Sequence, residues 1–432
     1  MIHKKILHTA ITAMLVTSLN ANSTSSHLSG AYGNSLSHFN LFATDHNPAM
    51  GSLMLKEDEF WRHSLIGGAA VSAEVGDVNN FVDDIDELID ILDDPDSSDI
   101  PANEVLDRFN NVLEQAGEDG YILTGTEYSP PILPLFFRIN RFDATVNIDL
   151  RFSTLINARI LDAPLERVDE TFTTASALYL KSGIERQISL NYAQKMWERN
   201  ESTLFLGAKI KFISTKLSKQ TVGLETLDGD NIEDVIEDQY DKNVETTNNI
   251  SLDIGAVWEA PHYRLGLTLF DVNSPKFDYG DIGLNCDQIQ APSDERDACN
   301  IAAFFAIDRG EITTSETHTK HARLNTQATY KLRKNWLVNA SYDLAEYDNL
   351  AGLTQQNIHL STHYNPNRWL FNGMRLAYNA NVSEQGTSQL VFGVSVLNGL
   401  NLDLFYGLES VKVDDSEAPR SVGLALSITE QF

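Results

Sequence analysis

The strongest constraint on this chain is a two-residue alternation that recurs along much of its length and continues to its last residue. In the final segment Val422, Leu424, Leu426 and Ile428 share one parity with Phe432, while small and polar residues occupy the other. Successive side chains of a β-strand point to opposite faces, so the segment predicts an amphipathic strand with one apolar face. A single such strand would also fit the edge of a soluble β-domain, and only repetition distinguishes the two.

The same alternation returns in residues 144–152, 204–212, 252–258, 264–269, 324–332, 338–344, 374–381, 390–396 and 402–409. The polar row of these segments, predicted to face inward, carries charged side chains: Arg151, Lys209, Lys211, Arg264, Asp343, Arg375, Asp403 and Glu409. The inner face of a β-sandwich could not bury so many charges, whereas a wet barrel lumen can. The sequence therefore predicts an all-β fold, a transmembrane antiparallel β-barrel of about 14 strands within a range of about 12 to 16.

The C-terminal Phe432 that closes the last strand resembles the terminal signal of bacterial outer-membrane β-barrels. This resemblance implies that Phe432 serves as an assembly signal for the barrel assembly machinery. It also implies an outer-membrane location, in contact with membrane lipid and lipopolysaccharide. A mean hydropathy of −0.23 does not oppose this location, because only alternate residues of each strand face lipid.

The N-terminus has the regions of a secretory signal peptide. His3, Lys4 and Lys5 precede a mostly apolar stretch over residues 6–19, and small and polar residues follow it. Cleavage could follow Ala21 or Ser23, and the second position fits the small-residue requirement better. Residues 1–23 are therefore predicted to be a signal peptide, with a buried N-terminal helix as the alternative.

A helical insertion and two long loops interrupt the strand pattern. Apolar residues at helical spacing within 81–92 and 105–113 predict two short helices, in an insertion at about 78–117. This insertion either projects outward or forms a periplasmic flap. Polar stretches at about 218–245 and 273–306 exceed ordinary connection lengths and predict large surface loops. Long loops of bacterial barrels lie outside the cell.

The chain contains two cysteines, Cys286 and Cys299, within the second of these loops. In an exported protein, an even pair that closes a short loop predicts a disulfide. The alternative is two unpaired thiols. Their spacing is not that of a Cys-x-x-Cys redox pair, and no histidine cluster accompanies them to suggest a metal site.

A net charge of −29 excludes nucleic-acid binding through a basic surface, because phosphate recognition needs clustered Lys and Arg. The acidic residues concentrate in segments 77–119 and 225–245, which indicates solvated surface or divalent-cation binding near lipopolysaccharide. Residues 93–104 resemble a calcium-binding loop, but Ser98 occupies the sixth position, where glycine is required. No cofactor and no metal site are predicted.

Catalysis receives little support from the sequence. It contains no Gly-x-Ser-x-Gly elbow, glycine-rich phosphate loop or His-Glu-x-x-His motif. His359 and His363 share the inward parity with Ser361, so they are interpreted as polar lumen residues. The chain is therefore expected not to be an enzyme, because no nucleophile and base can be paired from the sequence.

The segment before the first strand carries Asn47, Pro48 and Ala49, which resemble the Asn-Pro-Ala motif of FadL-type outer-membrane proteins. That superfamily has a plug inside a barrel of about 14 strands. The resemblance implies a plug-like segment at residues 24–63 and a barrel at residues 64–432, with residues 29–53 folded into the lumen. The overall layout resembles a FadL-related group of conjugal transfer proteins called TraF, distinct from the thioredoxin-like proteins of that name.

Two functions compete on this basis. The plug motif favours a passive channel or transporter for small hydrophobic molecules. The helical insertion, which a pore does not need, favours an accessory protein of conjugation or envelope assembly that binds proteins of the conjugation apparatus. A surface enzyme ranks third.

Overall fold

Antiparallel strands form the wall of a closed barrel in the computed structural model of the chain. The 14 wall strands are β1 (Gly67–Val75), β2 (Tyr121–Ser129), β3 (Ala144–Leu161), β4 (Ala177–Arg199), β5 (Ser202–Gly223), β6 (Val244–Glu259), β7 (Tyr263–Phe270), β8 (Arg323–Arg333), β9 (Trp336–Asp343), β10 (Asn357–Tyr364), β11 (Phe371–Asn381), β12 (Ser388–Val396), β13 (Leu400–Gly407) and β14 (Ser421–Ile428). Each strand pairs with its neighbours in sequence, and β14 pairs with β1 from Ile428 opposite Gly67 to Ser421 opposite Glu74. This confirms the fold class, and the pairing of the C-terminal strand with β1 closes the ring. Closure leaves no unpaired edge for lipid to meet.

The structure describes residues 27–94, 100–169, 171–227, 243–290, 292–366, 368, 370–383, 386–397, 399–413 and 416–428. The predicted signal peptide, its cleavage site and the terminal Phe432 lie outside these residues. The first acidic segment and the loop predicted at 218–245 are described in part. No helix in the described residues is long and apolar enough to cross a membrane.

The outer face of the wall is apolar, as the alternation predicts. Large side chains of the outward parity are half-exposed on strands all around the ring, for example Ile188 at 54 %, Leu404 at 51 % and Leu424 at 43 %. The inward parity is buried and mostly polar. An exposed apolar surface of this extent fits a protein that faces lipid. The closed wall and its apolar outer face are those of a β-barrel that spans a membrane.

The two ends of the barrel differ in the length of their connections. At one end β4 and β5 are joined by Asn200 and Glu201 alone, and both residues have a positive φ, as a two-residue type I′ hairpin requires. The opposite end carries the connections β1–β2, β5–β6 and β7–β8, which are much longer. Because bacterial barrels turn their long loops outward, the long-loop end is the outer end.

The described residues form four α-helices, which are α1 (Ala43–His46), α2 (Phe81–Asp93), α3 (Ala102–Asp119) and α4 (Asp294–Ala303). Short 3-10 helices cover His27–Tyr32, Pro48–Leu53, Asn140–Phe142, Leu224–Thr226 and Cys286–Gln288, and a π-helical turn covers Phe304–Asp308. Two short strands extend the wall sheet, since Leu135–Ile139 pairs with the start of β3 and Trp61–His63 pairs with Leu135–Ile139. Separate hairpins join Leu165–Val168 to Thr171–Thr174, Lys276–Asp278 to Thr317–Thr319, Tyr347–Asp348 to Thr354–Gln355, and Ser410–Val413 to Ser416–Pro419.

Beyond the lipid-facing band, β3, β4 and β5 continue outward as a sheet that is covered on both faces. Their outward residues Ile160, Leu178 and Val222 pack against α2 and α3. Their inward residues Leu161, Ala177 and Tyr179 pack near α4 and the π-helical turn. The predicted two-helix insertion therefore lies on the outside of the barrel at its outer end. The flap on the opposite side is excluded, and α3 extends to Asp119, two residues beyond the predicted boundary at 117.

Both predicted loop boundaries need correction. Strand β5 continues to Gly223 because its polar end, Ser218 to Thr221, is buried, with the Thr221 hydroxyl donating to the Ala298 carbonyl at 2.9 Å. The loop predicted at 273–306 is longer and partly folded. It contains α4, the π-helical turn and a hairpin, and β8 begins only at Arg323.

Candidate functional site: the occluded lumen

The N-terminal segment lies inside the barrel and contacts inward-facing residues from strands on opposite sides of the ring. It is not held by polar contacts alone, although its composition is rich in small and polar residues. Its buried apolar side chains form two clusters with the wall, and those with no more than 2 % exposure include Leu28, Leu36, Leu41, Phe42 and Met50. We call residues 27–55 the plug. Removing such a segment would expose two apolar cores as well as a polar lumen.

Asn47 anchors the plug to the wall. Its side-chain amide donates to the Ala256 carbonyl at 3.1 Å and to Gln327 Oε1 at 2.9 Å. Its Oδ1 accepts from the backbone N–H of Ala49 at 3.0 Å and so caps the 3-10 helix that begins at Pro48. Each half of the amide therefore has a different task, which explains why an amide is suited to this position.

The wall makes room for Asn47 and Pro48 with glycine. Gly207 of β5 and Gly255 of β6 are direct partners in the strand register. A Cβ at Gly207 would lie 2.4 Å from the Ala49 nitrogen, and a Cβ at Gly255 would lie 2.3 Å from Asn47 Oδ1. Any larger residue at either position would collide with the plug. The packing of the plug against β5 and β6 therefore depends on two residues without side chains.

Charged pairs hold the plug from the side as well. Asp45 pairs with Arg151 and, at 2.5 Å, with Lys209. Arg151 also pairs with Glu127 at 2.6 Å. Burial alone would raise the pKa of the Asp45 carboxyl, but Arg151 and Lys209 outweigh it and lower that pKa to about 2. Removing one partner of a buried pair costs about 3–5 kcal/mol, so this cluster fixes the position of the plug.

A second charged pair holds the start of the plug. Arg375 and Asp403 are 3.1 Å apart, and Asp403 accepts the backbone N–H of Ala31 at 3.1 Å. The Arg375 guanidinium also lies over the Tyr32 ring, 4.3 Å from its centroid. Both charged side chains are thus satisfied by each other and by the plug, as buried charges require.

The remaining charged residues predicted to face inward occupy different positions. Lys211 pairs with Asp253 and Asp271, both at 2.7 Å. Arg264 pairs with Glu259 at 2.6 Å and donates to the Leu36 carbonyl at 2.8 Å. Asp343 accepts from Asn325 at 2.9 Å.

Glu409 is an exception to the inward row. It lies two residues past the end of β13 and accepts from the Ser388 backbone at 2.9 Å and from its hydroxyl at 2.7 Å. It is therefore a residue of the barrel rim, because the strand ends before the alternation in the sequence does.

A cavity of about 230 Å³ lies between the plug and the outer end. We call it the chamber. Charged groups of both signs line it: Asp45, Glu127, Arg151, Glu185, Lys209, Lys211, Asp253, Asp271, Lys320, Arg323 and Asp343. The cations described above are paired with neighbouring carboxylates, so the chamber is strongly polar and nearly neutral. Such a lining favours water and hydrophilic solutes and disfavours apolar ones.

An apolar layer narrows the lumen on the outer side of the chamber. Leu123, Leu155, Ile213 and Leu217 project from the wall and pack with Phe277, Tyr279, Leu350 and Ala351 of the outer loops. The Tyr279 hydroxyl donates to the Leu350 carbonyl, which ties the β7–β8 loop to the β9–β10 loop. Leu350 lies over Gly183 of β4, where an added Cβ would be 2.9 Å from the Leu350 Cβ. The lumen is therefore filled by the plug on one side of the chamber and narrowed by this apolar layer on the other.

The structure also reveals a serine–histidine contact that the sequence analysis did not identify. Ser361 Oγ lies 3.0 Å from His363 Nε2, and the Asn339 amide lies 3.2 Å from Ser361 Oγ. His363 is fully buried, and its Nε2 also lies 3.2 Å from the Ala31 carbonyl of the plug. The group is buried and contacts the plug. Among the described residues, no set of three or more potential ligands is placed to hold a metal ion.

The two cysteines form the expected disulfide. Their Cα atoms are 5.5 Å apart, with Cys286 in a short 3-10 helix and Cys299 in α4. The bond lies in the β7–β8 loop at the outer end, so it fixes α4 to the chain that precedes it.

Comparisons with known proteins give a family match and several similar folds. A protein-family model described as "F plasmid transfer operon, TraF, protein" matches residues 45–343. The match begins in the plug at Asp45 and ends with β9, and so it covers more than half of the chain. No curated protein matches the sequence.

Solved structures of a hydrocarbon channel, a toluene transporter and a FadL homologue are similar to this barrel in fold. A TodX monoaromatic hydrocarbon channel mutant aligns at 10 % identity with a TM-score of 0.46, covering 90 % of this chain and 94 % of that one. The Ralstonia pickettii toluene transporter TbuX aligns at 12 % identity with a TM-score of 0.41, covering 91 % of this chain and 94 % of that one. A Pseudomonas aeruginosa FadL homologue aligns at 11 % identity with a TM-score of 0.37, covering 94 % of this chain and 98 % of that one.

Proposed function

Because the chain belongs to the family of F plasmid transfer operon TraF proteins, we propose that this outer-membrane barrel is an accessory protein of conjugation. It acts through its outer face and not as an open pore. The observation that carries the proposal is that the plug fills the lumen and an apolar layer of the outer loops narrows it further. A barrel occluded in this way is a platform on which outer loops are displayed.

The outer face has features that suit protein binding. Helices α2 and α3 bury their apolar residues against the extended sheet and leave carboxylates exposed, including Asp90, Asp93, Glu104, Asp107 and Glu114. Arg108 links the two helices through Asp84 at 3.0 Å and Glu87 at 2.7 Å. This rigid acidic surface supports a partner with a basic surface among the proteins of the conjugation apparatus.

The alternative function, passage of small hydrophobic molecules, is supported less well. An apolar solute in the lumen would have to cross the chamber, whose lining includes the paired cations Arg151, Lys209 and Lys211. Desolvating these groups without replacing their contacts is costly. A role without a reaction is supported by the burial of the Ser361–His363 contact against Ala31 of the plug.

Deletion and complementation in a donor strain test the proposal. Loss of the protein should lower the frequency of plasmid transfer, and the wild-type chain should restore it. A variant with residues 78–119 replaced by a glycine–serine linker should reach the outer membrane in heat-modifiable form without restoring transfer. Unchanged transfer in the deletion strain would contradict the accessory role. Faster toluene entry into vesicles that contain the wild-type barrel, relative to empty vesicles, would favour the channel instead.

A further inference from the structure

A second cavity, of about 440 Å³, lies on the outer side of the apolar layer. We call it the outer cavity. Asn157 and Arg159 of β3 and Tyr179 and Lys181 of β4 form its wall, and Glu118 and Glu311 lie at its edge. Its volume is within the range of small-ligand sites, roughly 300–1,000 Å³. It shares no lining residue with the charged chamber.

Arg159 is the unusual group in this cavity. Its guanidinium lies over the Tyr179 ring, 5.2 Å from the centroid, and the side chain is partly buried. Within the described ranges it has neither a carboxylate within 4 Å nor a hydrogen-bond acceptor. Other cations of the lumen, such as Arg151, Lys211 and Arg375, are paired. The five N–H donors of Arg159 are thus directed into the cavity with an aromatic ring behind them.

The carboxylates near the outer cavity are already balanced or exposed. Glu316 accepts from Lys181 at 2.5 Å and also lies 3.9 Å from Lys219. Glu311 pairs with Arg309 at 2.6 Å. Glu118 and Asp119 are exposed to solvent, and the solvent screens their charges. The buried side of the cavity therefore attracts an anion.

Asn157 adds a second requirement. Its side chain is 5 % exposed, and its Oδ1 has no hydrogen-bond partner in the described residues, whereas its amide nitrogen contacts the Ala351 carbonyl at 3.5 Å. A buried acceptor without a donor is costly, by about 1–3 kcal/mol. A ligand that supplies an O–H group to Asn157 and an anionic group to Arg159 would satisfy both residues at once.

We propose that the outer cavity binds an acidic sugar, with its carboxylate on the Arg159 guanidinium and a ring hydroxyl donating to Asn157 Oδ1. The site opens at the outer end, where saccharides of the cell surface are present. Such a sugar can come from the lipopolysaccharide around the barrel or from free saccharide outside the cell. This inference is independent of the accessory role in conjugation.

Calorimetry on the detergent-purified full chain tests the site, with sodium glucuronate, glucose, acetate and lipid-free core oligosaccharide from the host's lipopolysaccharide as probes. Glucuronate should bind, while glucose and acetate, which each lack one of the two groups, should bind much more weakly. Tighter binding of the core oligosaccharide would identify the envelope as the source, and tighter binding of glucuronate would identify free sugar. Absence of binding by both acidic probes, or equal binding of glucose, would overturn the proposal.

Variants assign the binding to this cavity. R159Q should weaken glucuronate binding by about tenfold or more, because it removes a charged hydrogen bond. R159K should retain part of the affinity, since it keeps the charge but loses the bidentate geometry. R167Q, which removes an exposed arginine from a hairpin at the same end, is the matched control. Heat-modifiable migration verifies that each variant is folded. Unchanged binding in R159Q, or equal loss in R167Q, would contradict the assignment.

Discussion

Gly207 and Gly255 face each other across the pairing of β5 and β6, and the Asn47-Pro48 turn of the plug occupies the space that their side chains would fill. The wall and the plug are therefore matched at one place by the absence of two Cβ atoms. This contact joins three segments that are far apart in the sequence.

Alanine at Gly207 should loosen the plug. Its Cβ would come within 2.4 Å of backbone atoms of Pro48 and Ala49, which cannot rotate away. Overpacking of this kind costs about 1–3 kcal/mol. Hydrogen exchange of residues 27–55 should therefore become faster in G207A, with the barrel intact by heat-modifiable migration. A208V, which adds bulk on the lipid-facing side of the same strand, is the control. Equal protection of the plug from hydrogen exchange in G207A and in the wild type would contradict the close packing of the plug against Gly207.

Acidification should loosen the plug as well. Burial lowers the pKa of His46 to about 3, and burial lowers the pKa of His38 to about 3. A released plug takes up protons below pH 6.5 that the docked plug does not bind, so docking weakens as the pH falls from 6.5. Asp45, whose pKa is lowered to about 2, contributes stability that is lost only below about pH 4.

The pH effect has specific neighbours and a specific test. Asp45, Arg151, Lys209 and His359 face His46, and Ser29 Oγ lies 2.7 Å from its Nε2. Arg264, Arg62, Glu259 and Lys331 face His38. Plug protection, corrected for intrinsic exchange, should fall by on the order of 1–2 kcal/mol per histidine between pH 7.5 and pH 5. H46Q should reduce this change and H262Q, on an exposed turn, should not. If protection of the plug does not change between pH 7.5 and pH 5, protonation of His46 and His38 does not control its docking.

Deleting residues 29–53 should not by itself produce a large open pore. The resemblance to a plugged barrel implies that loss of the plug raises conductance, but the layer around Leu350 and Phe277 remains in place. Combining the deletion with F277S and L350S should raise single-channel conductance in planar bilayers far more than either change alone. The control is the double substitution with the plug intact. A large conductance after the deletion alone would show that the outer layer does not seal the lumen.

Breaking the disulfide should affect the outer loop and spare the wall. A bond that closes a loop of 13 residues contributes on the order of 3 kcal/mol in the chain-entropy picture. The C286S/C299S variant should therefore show faster hydrogen exchange in α4, while exchange in β12 and β13 stays unchanged. Mass spectrometry of non-reduced wild-type peptides provides the control, because two free thiols there would remove the basis of the comparison.

The alternation in the sequence predicted much of the wall but less of its ends. It located the lipid-facing rows because a strand in a membrane must present apolar residues at every second position. It wrongly predicted a loop at Ser218 to Thr221, which continue a strand, and an inward strand position for Glu409, which lies at the rim. In the first segment, polar side chains are buried by loops that pack against the strand. In the second, the strand ends before the polar pattern does. Both depend on neighbours that the local sequence does not contain.

The sequence by itself determined the barrel, the faces of its strands and the position of the disulfide, because these follow from local periodicity and from cysteine spacing. Only the tertiary structure decided how the lumen is divided. Along β3, Arg151 lines the chamber, Leu155 belongs to the apolar layer and Arg159 lies in the outer cavity. These residues differ in role because ring closure brings distant segments against them. Asn47 meets Gln327 across 280 residues of sequence, and no local pattern specifies such a contact.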